Sequence, residues 1–168
     1  MGNIKTKKMV ASALFAALIF IATFFISIKL PHGYINVGDG FVLLSGCILG
    51  PVYGALAAAI GSALADIIGG YFLYAPATFI IKALMAVGTY YIYASIKKNS
   101  KFIATFVSGI VGEVIMIALY FVFEAFVIGF AAAVINIYAN SLQAGASFVI
   151  YILFMNILSR KKFLDFNA

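Results

Sequence analysis

Five ionisable residues stand inside stretches that are otherwise apolar: Asp39, Asp66, Lys82, Glu113 and Glu124. A charge at membrane depth is expensive, so such a group faces a bundle interior or a wet cavity and pairs with another group. Uncharged polar residues gather around these five at helical spacing. Asn136, Asn140 and Gln143 are four and three residues apart and share one helix face, which Ser147 continues. Glu113, Tyr120 and Glu124 share a second face. Thr78 and Lys82 share a third, with Tyr71 and Tyr74 just before them. Amides, one or two charges and aromatic rings are what a small heterocyclic ligand needs for orientation and stacking. The plainer alternatives stay open at this stage. The polar faces can hydrogen-bond from helix to helix and hold the bundle together. Asp39 and Asp66 can cap or solvate helix ends, and Lys82 can be neutralised by Glu113, Glu124 or Asp66.

The elements that carry these residues follow from composition. Hydrophobic residues make up 65% of the 168, charged residues 10%, and mean hydropathy is +1.16. A soluble domain is about a quarter charged, so too few charges are present for a water-facing surface. A spanning helix takes about 20 residues, and the sequence predicts an all-α integral membrane protein. It is read as a compact bundle of six transmembrane helices in a single domain, 1–168, with spans at about 9–28, 39–49, 52–68, 75–96, 101–124 and 134–159. The stretch from Gly40 to Ile81 carries only Asp66 as a charge and must turn inside; Gly50-Pro51 is the natural break. Gly69-Gly70 and Pro76 mark the next turn, and the segment from Ala125 to Ala133 must hold a tight one. Lys29 to Asp39 reads as a polar, turn-rich loop containing Pro31, His32, Gly33 and Tyr34. The basic start followed by an apolar run mimics a signal peptide. The run is long and no small-x-small site closes it, so a retained first helix is expected.

Charge placement orients the bundle. Lys5, Lys7 and Lys8 precede the first span, Lys97, Lys98 and Lys101 lie in a middle break, and Arg160, Lys161 and Lys162 follow the last span. With six spans and both termini cytoplasmic, nine of the eleven basic residues fall on the inner side, the exceptions being Lys29 and Lys82. Asp39, Asp66 and Glu124 then lie near outer span ends, Lys82 about two turns deeper and Glu113 near mid-membrane. The net charge of +6 is thus explained by the bilayer, and no soluble face exists to present a basic patch to nucleic acid. Cys47 is alone and reads as a buried, inert thiol. The sequence has one histidine and lacks a phosphate-binding loop and a paired catalytic motif, so no cofactor, no metal and no ATP hydrolysis by this chain are expected. Small residues four apart (Ala13 and Ala17; Gly46, Gly50 and Gly54; Gly61, Ala65 and Gly69) permit close helix approach.

The run Asn36-Val37-Gly38-Asp39, the segment GCILGPVYG from Gly46 to Gly54, Ala65-Asp66 through Gly70-Tyr71, and Tyr74-Ala75-Pro76-Ala77-Thr78-Phe79-Ile80-Ile81-Lys82 resemble the substrate-binding S component of energy-coupling factor (ECF) vitamin transporters. The opening KKMVASALFAAL is similar as well. The resemblance covers nearly the whole chain and is most specific at residues 36 to 82. It implies a six-helix subunit that binds a water-soluble vitamin or precursor near the outer face. It also implies docking through small residues of span one, Ala13 and Ala17, onto a membrane coupling subunit driven by two cytoplasmic ATPases. The subunit would topple in the membrane, with the loop Lys29 to Gly38 as a lid. Ile21 stands where a third alanine would fall, so docking would be looser or would use Ala16 and Ala22. The similar subgroup includes proteins for riboflavin, pyridoxine and hydroxymethylpyrimidine; the metal-binding N-terminus of cobalt and nickel members is missing. Without tryptophan, stacking falls to Tyr34, Tyr71, Tyr74 or Tyr120. The candidate ligand-binding set is Asn36, Asp39, Tyr71, Tyr74, Thr78, Lys82, Glu113, Tyr120, Glu124, Asn136, Asn140 and Gln143. Three other classes compete: a membrane enzyme using Asp39, Asp66 and Glu113 on a lipid, a ligand-free structural subunit, and a stand-alone secondary transporter.

Overall fold

The computed structural model describes residues 2–30 and 33–160. Pro31 and His32 of the expected loop, and Lys161 and Lys162 of the last basic cluster, lie outside the described residues. The elements in chain order are α1 (Gly2–Phe25), β1 (Ser27–Leu30), β2 (Gly33–Asn36), α2 (Gly38–Leu49), α3 (Pro51–Gly69), α4 (Ala75–Ile96), α5 (Lys101–Val127) and α6 (Phe130–Arg160).

The helix boundaries have local causes. After Gly50, whose φ is 85°, Pro51 opens α3, a position where its missing N–H is no loss. α3 closes at Gly70, in the left-handed region, with Gly70 N–H donating to the Ile67 carbonyl and Tyr71 N–H to the Asp66 carbonyl. This paired cap fixes Tyr71 beside Asp66. Ser100 caps α5 by accepting from Ile103 N–H. The α5–α6 turn is Ile128 and Gly129, both of whose N–H groups donate to the Glu124 carbonyl.

Five helices, all but α2, are long and apolar enough to cross a membrane. α2 has 12 residues, about 18 Å of rise, well short of a bilayer core of about 30 Å. It is instead the hub. It packs on α1, α3, α4 and α6, while α1–α3–α4–α5–α6 are consecutive neighbours around it. Every α2 residue except Phe41 is buried. The outer surface is apolar, with Leu14, Leu56, Ile80, Phe106, Val114 and Leu153 exposed, whereas Asp39, Asp66, Lys82, Glu113, Glu124 and Gln143 are buried. Apolar outside and polar inside is the arrangement a lipid solvent demands.

Two close helix crossings depend on glycine. A side chain at Gly46 would overlap the Ala86 backbone carbonyl of α4, and one at Gly61 would meet the Ala16 carbonyl of α1. In the half of the bundle nearer the Lys97–Lys101 break, Tyr151 hydroxyl lies 3.1 Å from Cys47 Sγ and 2.9 Å from Ser108 Oγ. The Cys47 thiol is therefore part of a packed core.

One element differs from expectation. The first span was expected to reach Ile28, but α1 ends at Phe25, and the segment expected as a loop is an antiparallel hairpin. Ser27 pairs with Asn36, Ile28 with Ile35, Lys29 with Tyr34 and Leu30 with Gly33. The pairing satisfies backbone groups that would otherwise lie unbonded beside α1 and α6.

Candidate ligand-binding cavity

The ends of five long helices and the hairpin meet at the end of the bundle opposite the Lys97–Lys101 break. There they enclose a polar cavity lined from α1 (Thr23), β2 (Tyr34 to Asn36), α3 (Ser62, Asp66), α4 (Thr78, Lys82), α5 (Tyr120, Glu124) and α6 (Asn136 to Gln143), with Tyr71 and Tyr74 from the α3–α4 turn.

Its floor is an ion pair inside a hydrogen-bond chain. Lys82 Nζ lies 2.5 Å from Asp39 Oδ1, with both side chains at most 3% exposed. The other Asp39 oxygen accepts from Gln143 Nε2 at 2.7 Å. Gln143 Oε1 accepts from Asn36 N–H and Asn36 Nδ2, at 3.0 and 3.1 Å. Asn36 Oδ1 then accepts from Gly38 N–H at 2.8 Å. The chain ties β2, α2, α4 and α6 into one network, so the hairpin and the floor are positioned together. Lys82 Nζ also sits 5.2 Å from the Tyr120 ring centroid, and Tyr120 hydroxyl shares a 2.8 Å hydrogen bond with Thr78.

The roof is aromatic. Tyr34 on β2 donates its hydroxyl to Asp66 Oδ1, and its ring lies 4.9 Å from that of Tyr71. Burial, and then the neighbouring Asp66 carboxylate, push the Tyr34 hydroxyl far above the usual tyrosine range, so it stays a proton donor. Tyr74 stacks edge-on against Phe123 at 5.3 Å and, with Asn136, hydrogen-bonds the Glu124 carboxylate. Burial and then Glu124 push the Tyr74 hydroxyl up to about 12. The free volume inside is about 50 Å³, room for a few waters.

Ten of the candidate residues line this cavity: Asn36, Tyr71, Tyr74, Thr78, Lys82, Tyr120, Glu124, Asn136, Asn140 and Gln143. Asp39 lies just beneath, bonded to two of them. Glu113 does not belong to the lining. It is buried two helical turns below Tyr120, about 10 Å along α5, with neither carboxylate oxygen hydrogen-bonded among the described residues. The sequence left the partner of Lys82 open among Asp39, Asp66, Glu113 and Glu124; the structure pairs it with Asp39. Asp66, for which the sequence left helix-end capping and cavity lining both open, is 2% exposed and lines the wall. Thr23, Ile35, Ser62 and Ala139 were not foreseen. Ser62 and Asp66 did leave a signal, two polar residues one turn apart on an otherwise apolar helix. Among the described residues, no three of His, Cys, Asp and Glu gather closely enough to hold a metal ion.

Ala13 and Ala17 lie on the outward side of α1, in an open apolar groove against Tyr53, Leu56, Ile60 and Leu64 of α3. Ala16 lines the same groove, and its backbone carbonyl is the atom a side chain at Gly61 of α3 would meet. Ala22 is 3% exposed and cannot extend a docking face.

Comparison with known proteins gives the same assignment. Residues 3–160 match the family described as ECF-type riboflavin transporter, S component. A Pyrococcus woesei protein, described as an uncharacterized protein in gap 3'region, is 32% identical over 133 residues, 77% of this chain and 86% of that one. A solved structure titled "Structure and mechanism of the S component of a bacterial ECF transporter" superposes with a TM-score of 0.64 at 17% identity, covering 93% of this chain and 97% of that chain. At that identity the superposition speaks for the fold. The six-helix architecture, the membrane-facing exterior and the family match over nearly the full length agree: this chain belongs to the ECF-type riboflavin transporter S component family and is a substrate-binding membrane subunit, not an enzyme.

Proposed function

We propose that the cavity is a vitamin-binding site and that riboflavin is its first candidate ligand. One observation carries the reading. Amide, hydroxyl, carboxylate and aromatic side chains from five helices and the hairpin converge at one end of a bundle whose exterior is apolar. Helix-to-helix hydrogen bonding alone does not call for such a gathering beneath a two-stranded cover. Convergent polar groups among aromatic rings fit a flat heterocycle with polar edges. The family description supports riboflavin; pyridoxine and hydroxymethylpyrimidine share the same chemistry on a smaller scale.

In this reading the Lys-poor end faces outward, both termini are cytoplasmic, and the host is the bacterial cytoplasmic membrane. The hairpin is the lid: breaking the Tyr34–Asp66 hydrogen bond opens it, and ligand contact closes it again. The α1 face with Ala13 and Ala17 docks on a membrane coupling subunit, and two partner ATPases supply the energy. The lipid-enzyme alternative loses support, because Asp39 is bound up with Lys82 and Glu113 lies away from the cavity.

The test is titration of the isolated, detergent-solubilised chain with riboflavin, followed by quenching of flavin fluorescence, alongside pyridoxine and hydroxymethylpyrimidine by calorimetry. Saturable binding of one compound at one per chain is expected. A folded chain that binds none of them contradicts the reading.

A further inference from the structure

We propose that the chain holds one anionic phospholipid in a cleft between α4, α5 and α6, in the leaflet on the side of the Lys97–Lys101 break. The cleft lies at the opposite end of the bundle from the polar cavity, so its occupancy is independent of what that cavity binds.

The cleft has a free volume of about 230 Å³ and is walled by Tyr93 of α4, by Lys101, Phe102 and Thr105 of α5, and by Ile152 and Met155 of α6. A pocket that encloses a drug-sized molecule has about 300–1,000 Å³. This one is smaller, and Lys101 and Phe102 at its rim are exposed. It suits a headgroup and the first carbons of a chain whose remainder stays in the bilayer. Its depth is graded in the same sense. Lys101 is the first residue of α5, where that helix enters the bundle, whereas Met155 and Ile152 lie about one and two turns in from the end of α6. A cationic rim above an apolar floor matches a charged headgroup above its acyl chain.

The rim lacks a countercharge. Lys97 Nζ lies 5.9 Å from the centroid of the Tyr93 ring, which brings a second ammonium to the cleft beside Lys101. Neither lysine has an ion pair among the described residues. The four described carboxylates are elsewhere: Asp39, Asp66 and Glu124 at the polar cavity, and Glu113 on α5 about 12 Å of helix beyond Thr105. The start of α5 adds to the positive field. Its first N–H groups have no partner within the helix, the Ser100 hydroxyl takes only that of Ile103, and no acidic residue stands in the first turn to meet the positive helix end. Membrane orientation accounts for lysines on this side, but not for an amphiphilic cleft beneath them. An anionic headgroup supplies the missing charge.

The experiment places the full chain in nanodiscs of equal parts phosphatidylglycerol and phosphatidylcholine and releases it into detergent. Native mass spectrometry then counts the lipid retained, and each lipid is titrated back onto the delipidated chain. One phosphatidylglycerol per chain is expected, bound at least about 30-fold more tightly than phosphatidylcholine, the effect of two lysines near an anionic headgroup. Lys101→Gln is expected to weaken it by about 5-fold or more, and Lys98→Gln, which removes the same charge from the same break but does not line the cleft, by less than about 2-fold. Both lysines are exposed, so these variants keep the fold. Thr105→Phe fills the cleft without changing its charge and is expected to lose the lipid. Equal retention of the two lipids overturns the proposal. Equal losses in the Lys101 and Lys98 variants also overturn it, since they would mean diffuse attraction to a basic surface. Displacement of the lipid by inorganic phosphate at the same concentration overturns the lipid occupant in favour of a simple anion site, and full retention in a folded Thr105→Phe chain places the lipid elsewhere.

Discussion

The Lys82–Asp39 pair offers the sharpest separation of folding from binding. Replacing Lys82 with methionine keeps the length of the side chain and deletes its charge. Asp39, 1% exposed, then keeps the hydrogen bond from the Gln143 amide but no countercharge. Removing one member of a buried pair costs about 3–5 kcal/mol, a large share of a total stability of about 5–15 kcal/mol. Removing both charges together, Lys82→Met with Asp39→Asn, leaves no uncompensated charge and keeps an acceptor for Gln143, so most of that loss is recovered. Thermal unfolding in detergent, with intrinsic tyrosine fluorescence as the signal, is expected to show a much lower midpoint for the single variant and a near-normal one for the double. Ligand affinity behaves differently. Lys82 lines the cavity, so both variants are expected to bind at least about 10-fold more weakly. A single variant that melts with the unmodified chain would refute the energetic reasoning. A double variant of normal affinity would remove Lys82 from the ligand site.

Three further outcomes are expected. Ala13→Trp and Ala17→Trp, which fill an open outward groove, abolish vitamin uptake by cells carrying the coupling subunits yet leave binding by the purified chain intact; lost binding would mean these alanines only pack the bundle. Tyr34→Phe removes the hydroxyl that holds the hairpin to Asp66 and speeds ligand release by about 10-fold in stopped-flow dilution, whereas an unchanged rate would show that the hairpin is held elsewhere. Gly46→Ala places a methyl on the Ala86 carbonyl and lowers stability by about 1–3 kcal/mol, read as a drop in the melting midpoint; an unshifted midpoint would show that α2 and α4 part freely.

How far the sequence reached depends on whether a feature is local. Helices α3, α4 and α5 are written in apolar runs broken at Gly50-Pro51, Gly69-Gly70 and the Lys97–Lys101 cluster, and local chain chemistry sets those breaks. Faces were legible too, because Asn136, Asn140 and Gln143 share a side of α6 whatever surrounds it. Depth was less so. Glu113 shares a face with Tyr120 and Glu124, but periodicity does not say where along α5 the cavity floor lies, and Glu113 falls below it. Partner choice was not legible at all. Lys82 had several carboxylates to choose from, and only the placement of α2 at the hub brings Asp39 to it. Asp66 was undervalued for the same reason. Its hydrogen-bond partner Tyr34 reaches it from 32 residues away. The hairpin escaped notice because its strands have only four residues each, and Pro31, Gly33 and the polar residues among them give the segment the composition of a loop.

The measurement that bears most directly on the binding site is mass spectrometry of the small molecules released from the gently purified chain, followed by titration of whatever is found. A heteroaromatic vitamin at about one per chain, displaced when Lys82 or Asp66 is changed, is the predicted result. A folded chain that releases nothing and ignores a vitamin panel would contradict the proposed site.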